Sequence, residues 1–216
     1  TIVERMAFNG EIGCHTHFGR RTAESDNLDS SPLFQKELIE QATHSLRQKG
    51  YPTLSFRGGA GFLDKHTLRI LCNLNYSVDS SITPGFYTKR FDGLVIDHRR
   101  CTIWHPYYPS WKDHCQPGGS PILEVPFFKY PLLMYSNTYL KILGNISYNL
   151  KEILDNPDLA LKRFRRLWEK MGSEYTIEMS WHPYNFFPNV DEKLSHLRRF
   201  LELALANDFQ FWTMQR

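Results

Sequence analysis

His15-Thr16-His17 is the segment of this chain best suited to chemistry. In an extended stretch, residues two apart point to the same side, so the two imidazoles can converge on one ion. Imidazole suits zinc and its neighbours, and a catalytic zinc typically takes about three protein ligands plus a water. His15 and His17 are therefore read as ligands of a divalent metal, most simply zinc, against the plainer reading of two polar histidines on a loop. A carboxylate ligand is still needed, and Asp79 and Glu124 are the candidates by position. Arg57 stands in Phe56-Arg57-Gly58-Gly59, where the glycines let the backbone turn. Its guanidinium could fix a carboxylate with two hydrogen bonds, or simply pair with a surface acid. His182 stands in Ser180-Trp181-His182-Pro183, where a histidine beside an aromatic could act as a general acid or be merely solvated. His44, His66 and His196 fall within helical patterns and face solvent by default. His98, His105 and His114 fall in a long loop and could line a cleft.

The elements that must hold these groups follow from periodicity. Residues 11–14 read as a short strand, and Pro32 to Lys49 as a helix with Leu38, Ile39, Ala42 and Leu46 at helical spacing and Gly50 as its stop. Residues 53–56 read as a second strand, and Asp64 as the cap of a helix carrying Leu68, Leu71 and Cys72 on one face. Residues 76–78 make a third strand. From Ser80 to Gly119 periodicity fails, and an aperiodic stretch of that length inside a compact domain is usually functional. An apolar strand lies within residues 121–126. Asn156-Pro157 opens a helix bearing Leu161, Phe164, Leu167 and Trp168. Residues 175–181 form a strand, Asp191 caps a last helix, and residues 209–213 close the chain as a strand. Such alternation predicts a mostly parallel α/β sheet or barrel in a single domain over residues 1–216. In that architecture reactive groups gather where strands end, and His15, His17, Arg57, Asp79 and His182 all fall at such ends.

Composition narrows the function without naming it. Across 216 residues, 41% are hydrophobic and 23% charged, as in a folded globular protein. No run approaches the ~18 apolar residues of a membrane span. Lys+Arg 26 against Asp+Glu 23 leaves +3, too mild to argue for nucleic acid. Aromatics reach 14%, which fits either a large core or a cleft that stacks on sugar rings. Cys14, Cys72, Cys101 and Cys115 contain no Cys-x-x-Cys pair, so a thiolate zinc site is disfavoured. Cys72 reads as a core residue; Cys101 and Cys115 could pair across a loop, although this cysteine usage resembles that of cytosolic proteins. A cytoplasmic location is expected on that ground.

Several of these segments resemble one family. Glu11-Ile12-Gly13-Cys14-His15-Thr16-His17 resembles the Glu-Ile-Gly-x-His segment of the NodB-homology polysaccharide deacetylases. Phe56-Arg57-Gly58-Gly59-Ala60-Gly61 is similar to their arginine motif. Leu68 to Gly85, with Asp79-Ser80-Ser81 and Thr83-Pro84-Gly85, resembles a branch found near sugar-polymer synthesis functions. Met179 to Phe187 resembles that branch's late histidine motif. The resemblance implies a distorted (β/α) barrel, a divalent ion that is usually zinc, and hydrolysis of an N-acetyl group on a carbohydrate. It makes His15 a metal ligand, Arg57 the residue that orients the base, and His182 the acid. Asp79 joins Arg57 and His182 in the expected catalytic set. Trp104, Tyr107, Tyr108 and Trp111 of the long loop, with Trp181, would hold the sugar.

The chain also departs from the family pattern. The second histidine normally comes four residues after the first, where Gly19 stands, and His17 takes its place. Gly59 stands where the arginine motif carries Pro. The family's Asp-Asp pair, which supplies the base and a ligand, does not occur. Because the chain opens at Thr1, it is read as N-terminally incomplete, with that pair expected upstream. Two other readings stand beside the deacetylase: an amidohydrolase-like metallohydrolase, which needs further histidines at later strand ends, and a carbohydrate-binding relic of the deacetylase fold.

Overall fold

The computed structural model describes residues 4, 10–18, 21–22, 25–28, 30–89, 93–127, 129–130, 146–147, 150–171 and 186–211. They fall into two compact units, Thr1–Phe127 with Trp212–Arg216, and Phe128–Phe211.

The first unit is built on a parallel sheet. Strands β1 (Cys14–Thr16), β4 (Ser55–Gly58), β5 (Val78–Asp79) and β8 (Leu123–Glu124) lie side by side in that order. Two small antiparallel pairs accompany it: β2 (Arg21–Thr22) with β3 (Ser25–Leu28), and β6 (Tyr87–Lys89) with β7 (Val95–Asp97). The crossover from β1 to β4 is helix α1 (Pro32–Gln48), and that from β4 to β5 is helix α2 (Lys65–Asn73). Ser31 caps α1 by accepting from the Phe34 N–H, with Pro32 in the first turn. Asp64 and Thr67 form a reciprocal capping box on α2, as the sequence suggests for Asp64. Gln35, fully buried on α1, ties the two helices by donating to Asp64 Oδ2 at 3.1 Å and accepting from Thr67 Oγ1 at 2.6 Å. Ile39, Phe56, Leu68, Leu71, Tyr76, Ile82 and Ile122 form the core.

Register places the functional candidates. Cys14, Phe56, Asp79 and Glu124 form one row across the sheet, and His15 pairs with Arg57 in the next row. Successive residues of a strand face opposite sides, so these two rows point to opposite faces. Each of the first three strands runs one or two residues past its expected end, to Thr16, Gly58 and Asp79. Apolar alternation stops before the pairing does, because a buried backbone must continue its hydrogen bonds whatever its side chains are.

The segment from Ser80 to Gly119 is more ordered than its lack of periodicity suggests. It contains the β6–β7 hairpin, and Tyr107 pairs with Glu124 through two backbone hydrogen bonds of 3.0 and 2.8 Å, covering the edge of β8. All four cysteines are free thiols. Cys72 is half-buried and packs on the core, whereas Cys101 and Cys115 are buried and bonded to each other as thiols. That bond from Cys115 is the main cause that brings Cys101 down to about 7.

The second unit holds a small antiparallel pair, β9 (Lys129–Tyr130) with β10 (Ile146–Ser147), and helices α3 (Leu150–Asp155), α4 (Pro157–Met171) and α5 (Val190–Leu205). Asn156 caps α4 by accepting from the Leu159 N–H at 3.0 Å, and Pro157 follows it. Ile153, Ala160, Leu161, Phe200 and Ala204 close the apolar centre of the three helices. Two expectations are corrected here. The residue before α5 is Asn189, and Asp191 lies inside its first turn, where a carboxylate still complements the helix dipole. Of the strand expected over residues 209–213, residues 209–211 do not take strand form, and the Phe209 N–H bonds the Ala204 carbonyl at the end of α5; residues 212–213 lie outside the described residues. The expected strand over residues 175–181 lies outside the described residues. Among the described residues no helix is long and apolar enough to cross a membrane.

Candidate metal centre

The site is built at the C-terminal ends of β1 and β4, where open parallel sheets bind their ligands. His15 and His17 are exposed there, and their rings meet edge to face with centroids 4.7 Å apart. The alternation of an extended segment brings them to one side, as the spacing predicts.

The hydrogen bonds assign the nitrogens. His15 Nδ1 lies 2.9 Å from the Arg57 carbonyl. A carbonyl only accepts, so Nδ1 carries the proton and Nε2 of the neutral ring keeps its lone pair. That Nε2 stands 3.0 Å from His17 Nε2. Two bare lone pairs at that distance would repel, so a proton or a cation must lie between them. Two imidazoles on a tetrahedral zinc with ~2.0–2.1 Å bonds have nitrogens roughly 3.3 Å apart. The observed 3.0 Å is the length of an N–H···N hydrogen bond donated by His17 and lies within about 0.3 Å of that spacing, and the carbonyl behind His15 is the kind of outer partner that a metal-bound histidine normally has.

Glycine makes this approach possible. A Cβ on Gly59 would sit 2.5 Å from Cγ and Nδ1 of His17. It would also sit 2.7 Å from the His17 Cα, so any larger residue there would displace His17, backbone included. At Gly58 an added Cβ would instead meet the Phe62 carbonyl oxygen at 1.9 Å, a backbone collision. The turn that follows holds Ala60 at φ 57° and Gly61 at φ 83°.

Arg57 is half-buried and held in one plane. Its Nε donates to the Ser80 carbonyl at 2.8 Å and its Nη2 to Ser80 Oγ at 3.1 Å. The guanidinium lies over the Phe127 ring, 4.7 Å from its centroid. Asp79 and Glu124, the two carboxylates considered as ligands, are fully buried neighbours in the row that faces away from His15 and Arg57. Asp79 accepts from Ser81 Oγ at 2.7 Å, and Glu124 accepts from the Ile82 N–H at 2.9 Å. Burial first, and the Asp79 charge second, push Glu124 well above the ordinary carboxylate range. Asp79 is also raised by burial, against the hydrogen bonds of Glu124 and Ser81 and the charge of Arg57. Both carboxyls of the pair are thus raised, Glu124 the more strongly.

The other expected site residues scatter. Tyr107 is buried in the core and donates to the His114 carbonyl at 2.8 Å. Trp111 is half-buried against the same core, Trp104 is half-buried, and Tyr108 is exposed. His182 and Trp181 lie outside the described residues. Among the described residues no third His, Cys, Asp or Glu joins His15 and His17 in a metal-binding group. The described ends of β4, β5 and β8 likewise hold no further histidine. The sequence marks Gly59 as a turn residue and as a departure from a motif; its service to His17 is set by the fold.

No protein-family model matches the chain, and no curated protein sequence matches it. Among solved structures it is similar to a crystal structure of a putative polysaccharide deacetylase from Mycobacterium smegmatis, with a TM-score of 0.55 and 16% sequence identity. The match covers 95% of this chain and 60% of that one, so this chain spans less than two thirds of the neighbour's length. At that identity the likeness concerns the fold: a mixed α/β chain with a parallel sheet.

Proposed function

We propose that this chain is a metal-dependent hydrolase that removes N-acetyl groups from a carbohydrate. The observation that supports the reading most is the pair of imidazoles whose Nε2 atoms converge to 3.0 Å at the strand ends. The likeness to a deacetylase-type structure adds a fold on which such a pair has a use.

His15 and His17 would hold the divalent ion through Nε2. When bound, that ion supplies an acidified water and a positive charge beside the carbonyl under attack. The chain's own contributions are distinct. The Arg57 carbonyl orients the His15 ring, and Gly59 leaves the space that His17 occupies. The Arg57 guanidinium, fixed between Ser80 and Phe127, presents a cation in a set direction, which suits a residue that orients a carboxylate base. Tyr108, exposed in the long loop, offers an aromatic face for a sugar ring. The role of proton donor to the departing amine falls to His182 by the sequence resemblance alone.

A second reading has its own support, since no third ligand joins the pair among the described residues. On that reading the fold binds carbohydrate without hydrolysing it. Acetate release from N-acetylated oligosaccharides, measured with zinc and with a chelator, separates the two. Zinc-dependent release that vanishes in His15→Ala/His17→Ala supports the hydrolase; saturable oligosaccharide binding with no release supports the relic.

A further inference from the structure

The Arg57–Gly58 peptide is hydrogen-bonded at both ends. Its carbonyl accepts from His15 Nδ1 at 2.9 Å, and its N–H donates to Ser81 Oγ at 2.8 Å. A trans peptide points these groups in opposite directions across its strand. Because β4 lies between β1 and β5, the unit reaches both neighbours at once. Ser81 Oγ, having accepted that N–H, donates its own proton to Asp79 Oδ1 at 2.7 Å. The Ser81 N–H also reaches Asp79 Oδ2 at 3.3 Å, so Asp79 grips the turn that carries the hydroxyl. Ser81 is buried and Asp79 is fully enclosed. Asp79 also belongs to the row on the face opposite His15. It therefore cannot touch a ligand held at His15 Nε2. The path between them among the described residues is a series of three hydrogen bonds: carboxylate, hydroxyl, peptide, imidazole.

We propose that Ser81 and Asp79 are positioning residues for His15: they anchor the Arg57–Gly58 peptide so that its carbonyl keeps the imidazole proton on Nδ1 and turns the Nε2 lone pair toward His17. An imidazole free in water favours the other tautomer, so the ligating form needs a fixed acceptor at Nδ1. A carbonyl whose peptide N–H is itself bonded to a polarised hydroxyl is a stronger and better-directed acceptor, since hydrogen bonds in series reinforce one another. The use of this arrangement rests on the metal reading above, whereas the arrangement itself does not. It also gives Asp79 a task that its burial permits.

The test reads the tautomer directly. The full chain is labelled with 15N-histidine and examined at about pH 8.5, roughly two units above the ordinary imidazole value of ~6.5. In the parent, His15 shows a protonated-type shift at Nδ1 and a lone-pair shift at Nε2. Ser81→Ala moves both nitrogens toward the average of the two tautomers, and Ser81→Thr, which restores the hydroxyl, moves them back. Ser80→Ala removes a neighbouring hydroxyl that serves the Arg57 side chain rather than the peptide, and it leaves His15 unchanged. Zinc titrated against a chromophoric chelator binds ~10–100-fold more weakly to Ser81→Ala, the usual effect of losing an outer-shell partner. If Ser81→Ala does not fold, Asp79→Asn keeps the shape, removes the charge and shifts His15 part of the way. A parent His15 with its proton on Nε2, parent-like shifts in Ser81→Ala or Asp79→Asn, or an equal effect of Ser80→Ala would each overturn the inference. A parent chain that binds no zinc, but whose His15 still responds to Ser81→Ala, overturns the metal reading and upholds the positioning role.

Discussion

His15 and His17 meet with ring centroids 4.7 Å apart at 85°, and His98 and His114 with centroids 5.7 Å apart at 80°. Ring geometry barely separates the two pairs; surroundings and hydrogen bonds do. His15 donates from Nδ1 to a carbonyl, which leaves a lone pair on Nε2. His98 accepts at Nδ1 from the Thr83 N–H at 3.1 Å, which in the neutral ring places the proton on Nε2. His98 is buried and His114 half-buried, and burial pushes His114 below the ordinary imidazole range. The first pair is open to solvent, with its Nε2 atoms 3.0 Å apart; the second packs on the inside of a loop. Which backbone group holds Nδ1 thus decides whether a neighbouring histidine leaves Nε2 as an acceptor or as a donor.

That contrast breaks most visibly in zinc affinity. His15→Ala/His17→Ala should weaken zinc by more than about 100-fold, beyond what loss of an outer-shell partner costs. His98→Gln/His114→Gln should leave zinc binding within experimental error. Competition with a chelator measures both, and equal losses would erase the distinction between the pairs.

Stability should show the reverse order. His98→Ala strands the buried Thr83 N–H and opens a hole, so about 1–3 kcal/mol should be lost in urea unfolding. His15→Ala, at an exposed ring, should stay within about 0.5 kcal/mol of the parent. A larger loss from His15 than from His98 would mean that the first pair is structural after all.

The two adjacent glycines sharpen the same point. Gly59→Ala should displace His17 and weaken zinc by roughly tenfold, and it should also cost stability, because its added methyl meets the His17 ring at 2.5 Å and the His17 Cα at 2.7 Å. Gly58→Ala should lower stability by about 2 kcal/mol or more, because its methyl meets backbone. If Gly59→Ala keeps full zinc affinity, the space beside His17 does not set its position.

The smallest effect concerns pH. Glu124 is raised above its ordinary 4.5. Below about that value folded and unfolded chains both hold the proton. Above it the unfolded chain releases the proton while the folded chain keeps it, so stability falls as pH rises toward the folded value. Glu124→Gln should remove that part of the slope. Denaturation midpoints of the two proteins from pH 4.5 upward should diverge, and parallel curves would show that Glu124 is ionised in the fold like any surface acid.

The alternation of helices and short strands was legible in the sequence, because local signals mark it: Ser31-Pro32 and Asp64 at helix starts, Gly50 after a helix end, and apolar periods between them. The convergence of His15 and His17 was legible too, since the period of an extended chain alone brings residues two apart to one side. The strand ends were misjudged by one or two residues because pairing, unlike polarity, is decided by the neighbouring strand. What tertiary structure alone decided was the character of each polar group. His15 owes its tautomer to a carbonyl 42 residues away, and Glu124 accepts from an N–H 42 residues before it. Asp79 and Tyr107 follow short apolar or aromatic stretches, as site residues often do, yet one sits enclosed beneath the sheet and the other covers its edge. A titratable side chain takes its charge, tautomer and accessibility from the groups packed against it, and those groups are brought together only by register and burial.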